Sequence, residues 1–157
     1  LGIPGGIGIA LGGYFADRFG ARDPRWFLWT TAVALLLAVP LNVFIYLSTD
    51  STAALLAMIL PVLLGNFYQA TTFSQTQGIS ALRMRAVAAG ILLFIINIIG
   101  LGLGPQIVGI LSDLLNPRYG DESLRYALLI CSFLYVWAAA HYFAAGRHLK
   151  DDLVVDG

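Results

Sequence analysis

The side chains able to do chemistry are few in this 157-residue chain, and they fall into two settings. One is a compact charged group, Asp17, Arg18 and Arg22, framed by Gly13 and Gly20. A carboxylate beside one guanidinium and about a turn from another can pair internally. It can also sit against the positive N-terminal end of a neighbouring helix. The other setting is a ladder of uncharged polar residues in apolar sequence: Asn66, Gln69, Thr72 and Thr76. They recur every three or four residues, which puts them on one face of a helix. Asn97 and Gln106 continue the set in the next apolar stretch, and Tyr68 and Phe73 can supply aromatic walls. Such groups can line a solute cavity or hydrogen-bond between helices, the latter contributing roughly 0.6–2 kcal/mol each. His141 is the one imidazole deep in an apolar run, a candidate proton carrier. No nucleophile has a base at a useful spacing, no two carboxylates share an apolar stretch and no metal-ligand pattern occurs. Catalysis has no support, and neither metal nor cofactor is expected.

The elements that must position these groups are set by where charge is missing. Residues 26–49, 51–82, 86–112 and 126–146 contain no Asp, Glu, Lys or Arg, and the glycine-rich residues 1–16 form a fifth such stretch. A helix rises about 1.5 Å per residue, so roughly 20 apolar residues cross a hydrocarbon layer about 30 Å thick. A charge at mid-bilayer costs several kcal/mol, so charges collect in the connections. The mean hydropathy of +0.81 fits the same reading. Strand alternation is absent over any useful length, which excludes a β-barrel. The expected fold is an all-α, polytopic transmembrane helix bundle. Pro40, Pro61 and Pro105 fall inside the spans and mark expected kinks. The lone Cys131 lies in a span, so no disulfide forms within the chain. Zero net charge and the lack of a basic run argue against nucleic acid as a partner. The chain opens on Leu1, inside an apolar stretch, and reads as a fragment whose N-terminal part is missing.

The connections give the orientation. Arg18, Arg22, Arg25, Arg83, Arg85, Arg147 and Lys150 lie in the first, third and fifth connections, against only Arg118 and Arg125 in the others. The positive-inside rule places the arginine-rich set and the C-terminal tail in the cytoplasm. Tyr14, Trp26 and Trp29 suit one interface, and Tyr46, Tyr119 and Tyr126 the other.

The first and fourth stretches echo each other. Gly6, Gly8, Gly13 and Asp17 recur at the spacing of Gly102, Gly104, Gly109 and Asp113. The two lie three helices apart and run in opposite directions, the pattern of an inverted three-helix repeat found in secondary transporters. Gly100, Gly102, Gly104 and Gly109, with Pro105, are also expected to serve close helix packing. A dinucleotide site at Gly6, Gly8 and Gly12 is rejected, because no strand precedes the glycines and no βαβ unit surrounds them.

Gly13-Tyr14-Phe15-Ala16-Asp17-Arg18-Phe19-Gly20-Ala21-Arg22 resembles the cytoplasmic loop signature of the major facilitator superfamily. Gly13, Ala16, Asp17, Arg18, Gly20 and Arg22 match it, while Phe15 and Ala21 depart from the usual Leu and basic residue. That signature follows the second and eighth of twelve helices, and the spans after it here imply the second copy. The resemblance implies a partial C-terminal half: 1–16 the end of helix eight, 17–25 the signature loop, 26–49, 51–82, 86–112 and 126–146 helices nine to twelve, and 147–157 a cytoplasmic tail. Arg22-Asp23-Pro24-Arg25-Trp26 and the glycine-rich eleventh helix look like the bacterial Spinster-like branch, which implies a bacterial inner membrane.

The resemblance further implies transport of a small organic or amphipathic solute by alternating access. Asn66, Gln69, Thr72, Asn97 and Gln106 are its expected cavity residues, and Asp17, Arg18 and Arg22 a network that breaks as the halves rock. The expected partners are the missing half of the transporter, membrane lipid and the solute. An integral-membrane enzyme acting on lipids, or a structural subunit without transport, are the competing classes. Gly13 is expected to admit a close neighbouring helix and Gly20 a tight turn.

Overall fold

In hydrocarbon every backbone N–H and C=O must bond within its own segment, so charge-free apolar sequence folds as helix. The structure, a computed structural model describing residues 2–153, is helical nearly throughout and has no strand among those residues. Helix α1 spans Gly2–Gly20 and α2 spans Trp26–Leu47. The third span is built of α3 (Ser51–Ala57), α4 (Ile59–Gly65) and α5 (Phe67–Gly78). The fourth joins α6 (Arg85–Ile95), a π-helical stretch Ile96–Leu103 and α7 (Gly104–Tyr119). The fifth joins α8 (Ser123–Ser132) and α9 (Leu134–Asp152). Trp26–Leu47, Ser51–Gly78 and Leu82–Asp152 are long and apolar enough to cross a membrane. The last of these folds back on itself at Gly120, whose φ of 54° lies in the region that favours glycine, and α7 packs along α8.

The prolines act unequally. Pro40 leaves α2 unbroken. Pro61 cannot donate to the Ala57 carbonyl, and α3 stops there. Pro105 cannot donate to Leu101, which lies in the π-helical stretch just before it. Two helices also run on past their charge-free stretches, α7 through Asp113 to Tyr119 and α9 through Arg147 to Asp152. A charge outside the hydrocarbon does not end a helix. Residues 154–157 of the expected tail, and Leu1, lie outside the described residues.

Helix α2 is the hub, with α1, α4 and α5 against it on one side and α8 and α9 on the other. Small residues make this possible: Ala32, Ala34 and Ala38 of α2 are buried, and Ala32, Leu35 and Ala139 form a core flanked by Tyr135, Tyr142 and Phe143. A Cβ at Gly146 would come within 2.5 Å of the Trp29 indole, whose Nε1 donates to the Phe143 carbonyl at 3.2 Å. The fourth span is held differently. Helix α6 packs on α5 at one end and α7 on α8 at the other, while Ile96–Leu103 has its substantial contacts only with α6 and α7.

The connections sort to two ends. Phe19 lies against Trp26 (centroids 5.5 Å apart), Gly146 beside the Arg25 carbonyl and Leu153 beside Gly78. At the other end, Arg125 Nη2 donates to the Ser48 carbonyl at 2.9 Å, and Tyr119 meets Tyr126 at 4.2 Å. The two expected aromatic groups thus fall at opposite ends of the bundle.

Candidate functional site

The signature residues occupy the last turn of α1 and the link to α2. Asp17 is exposed at the edge of a small cavity, about 170 Å³, that it shares with Thr71, Ser74 and Gln75 of α5. Among the described residues no ion pair joins Asp17 to Arg18 or Arg22, so the internal pairing open to them from spacing is not made. The facing helix also presents its middle turns to Asp17 rather than its N-terminus.

The glycines divide in a way the motif did not anticipate. Close approach falls to Gly8 and Gly12: a Cβ on Gly8 would run into the Leu63 carbonyl oxygen, and one on Gly12 would come within 2.7 Å of the Phe67 Cα. At Gly13 a Cβ would make an ordinary 3.5 Å contact with Ala70. Gly20 stays within α1 without a positive φ, and is needed because a Cβ would lie 2.7 Å from the Phe27 ring. Its role is side-chain clearance, not a turn. Gly100 and Gly109 meet nothing within 4 Å, and Gly102 and Gly104 meet only carbonyls of their own helix. Among the described residues, these glycines are therefore not points of close approach by another helix.

The polar ladder splits. Asn66 donates to the Val62 carbonyl at 2.6 Å and accepts from Gln69 Nε2 at 3.0 Å, beside Gly5 of α1. Thr72 turns to α9, where its hydroxyl lies 2.7 Å from the Tyr142 hydroxyl. Thr72 and Thr76 line a groove of about 580 Å³ between α5 and α9, with His141 and His148 on its far wall. His141 is exposed, with Nδ1 2.9 Å from the Trp137 carbonyl. Asn97 bonds back to the Leu93 carbonyl at 2.7 Å and, like Gln106, is exposed on the fourth span. The structure joins Asn66 to Gln69, and does not bring Asn97 or Gln106 to them.

Three groups escaped the sequence reading. Thr31 and Thr71 share a buried hydrogen bond of 2.6 Å between α2 and α5, and Gln75 is buried one turn further on. A partner forty residues away leaves no mark in the spacing of either helix. Arg125 joins the Ser48 carbonyl to Glu122, 2.6 Å away, and so ties two connections together. Nothing in the charge pattern separated it from a solvated arginine.

No protein-family model matches the chain. Over 152 residues, 96% of this chain, it is 32% identical to an MFS-type efflux pump of Mycolicibacterium smegmatis. The chain spans only 35% of that protein. In structure it is similar to a bacterial homologue of the human lysosomal transporter Spinster in its inward-facing, unoccupied conformation, with a TM-score of 0.82 and 22% identity. That likeness covers 98% of this chain and 40% of the other. The occupied, inward-facing form gives a TM-score of 0.75 at 20% identity, over 98% of this chain and 41% of that one. The major facilitator resemblance carried by the signature is thus met in sequence by a relative of that type, and the fold is that of a bacterial Spinster homologue. The protein is an integral membrane protein.

Proposed function

We propose that this chain is part of the C-terminal half of a major facilitator transporter, running from the end of helix eight (α1) through helices nine (α2), ten (α3–α5), eleven (α6 to α7) and twelve (α8–α9). The observation that carries the reading is the similarity to an efflux pump along 96% of the chain. The Spinster-like fold supports it. The role is movement of a small organic or amphipathic solute by alternating access, without a chemical step. The arginine-rich end faces the cytoplasm of a bacterial inner membrane, and the C-terminus lies on that side.

In this reading Asp17 and its arginines steady one conformation at the cytoplasmic edge, and their lack of mutual pairing fits a state in which that contact is released. Asn66, Gln69, Thr72, Asn97 and Gln106 are the proposed contacts for solute. Exposure of Asn97 and Gln106 supports cavity roles for them, whereas Asn66, beside Gly5, also serves the α1 interface.

The test is accumulation of ethidium, an amphipathic cation, in cells with and without the full-length protein. Lower accumulation, restored toward the control by Asp17→Asn at equal surface expression, is the expected result. Unchanged accumulation of ethidium and of an amphipathic anionic dye would contradict the proposal, as would matched losses of transport and expression for the role of Asp17.

A further inference from the structure

Packing at the arginine-rich end gathers cations over an aromatic row. Phe19 of α1, Trp26 and Trp29 of α2 and Phe143 of α9 touch in sequence, with ring centroids 5.5, 5.8 and 5.8 Å apart. Gly146 closes α9 onto this row: a Cβ there would come within 2.5 Å of the Trp29 indole and 3.2 Å of the Arg25 carbonyl. Arg25 and Arg147 are thereby fixed on neighbouring stretches of backbone, and both are exposed. Arg22, also exposed, stands on the link leading to Arg25. Like charges gathered in this way repel. Among the described residues no carboxylate forms an ion pair with any of the three. Asp23 instead accepts from the Arg25 backbone N–H at 3.0 Å.

Below the cations the surface turns apolar. Trp26, Val33, Leu37 and Phe44 share one exposed face of α2, while Leu28, Ala32, Leu35 and Ala38 are buried on the other. The Trp29 indole N–H is taken by the Phe143 carbonyl. That of Trp26 has no partner among the described residues.

We propose that this surface binds an anionic phospholipid, with its phosphate between Arg22, Arg25 and Arg147 and an acyl chain along Val33, Leu37 and Phe44. Guanidiniums hold phosphate through charge-assisted hydrogen bonds, and a clustered set of cations favours a headgroup with no cation of its own. A free phosphate would leave the apolar track bare. Trp26 stands at the boundary, where an indole keeps its ring among acyl chains and its N–H among headgroup oxygens. The segment Arg22-Asp23-Pro24-Arg25-Trp26 thus has a task separate from that of Asp17. The site needs a membrane-embedded chain and no particular cargo, so its loss would leave the transport reading standing.

The experiment is native mass spectrometry of the full-length protein in detergent, titrated with dioleoyl-phosphatidylglycerol or dioleoyl-phosphatidylcholine. Preferential retention of phosphatidylglycerol is the expected result. The Arg25→Gln/Arg147→Gln double variant should weaken it roughly 25-fold, about fivefold for each cation beside an anionic lipid. Trp26→Leu keeps every cation and should weaken it too. Arg118→Gln, at the opposite end of the bundle, should retain the lipid as the unsubstituted protein does. Equal retention of the two lipids, or undiminished retention by the double variant, would overturn the proposal. So would an unfolding temperature raised as much by inorganic phosphate as by phosphatidylglycerol, because the apolar track would then be idle.

Discussion

At Gly8 the distance between two helices is set by one missing side chain. Gly8→Leu has to push α1 off the Leu63 backbone, and overpacking of this kind costs about 1–3 kcal/mol. A lowered unfolding temperature of the detergent-solubilised full-length protein is the expected readout. The Thr31–Thr71 hydrogen bond calls for a finer measurement, a double-mutant cycle with valine at each position. The expected coupling is about 0.6 kcal/mol, because Thr71 keeps the Phe67 carbonyl as an alternative partner at 3.2 Å. A coupling indistinguishable from zero would contradict a structural role for the pair. These residues also mark how far sequence reaches at this scale. The motif drew attention to Gly13 and Gly20, and both do face neighbours, but the glycines of α1 that press on another helix's backbone are Gly8 and Gly12. Which glycine touches depends on the rotation of α1 against a helix fifty residues away, and local spacing does not record it.

Elements were more legible. Absence of charge located the apolar stretches, since the penalty for a buried ion acts on each residue without reference to its neighbours. Helix ends were less so: α7 and α9 continue through Asp113 and Arg147, where the charges simply leave the hydrocarbon. Pro61 and Pro105 mark interruptions in hydrogen bonding and Pro40 does not, although all three looked alike in sequence. At the end of the bundle away from the arginine-rich connections, Arg125 bonds both Ser48 and Glu122. Its ion pair is solvent-accessible, so Arg125→Gln is expected to cost no more than about 1 kcal/mol. An unfolding temperature depressed as far as by Gly8→Leu would show that the tie carries more than its exposure allows.

For the whole molecule the decisive property is sidedness. A bundle with its fourth span anchored only at the two ends cannot enclose a solute path, so residues 1–157 reconstituted alone are expected to show no saturable, substrate-selective uptake. The inverted echo was visible in sequence, whereas the open surroundings of Gly104, where an added Cβ would meet only the Ile99 carbonyl of its own helix, were not. The central claim is a set of membrane-embedded helices with all arginine-rich connections on one face. Single cysteines placed at Arg22, Arg83 and Ser48 in a Cys131→Ser background, probed with an impermeant maleimide in intact cells and in inverted vesicles, test it directly. Labelling at 22 and 83 only in inverted vesicles, and at 48 only in intact cells, is the expected result. Labelling of 22 and 83 from opposite faces would contradict it.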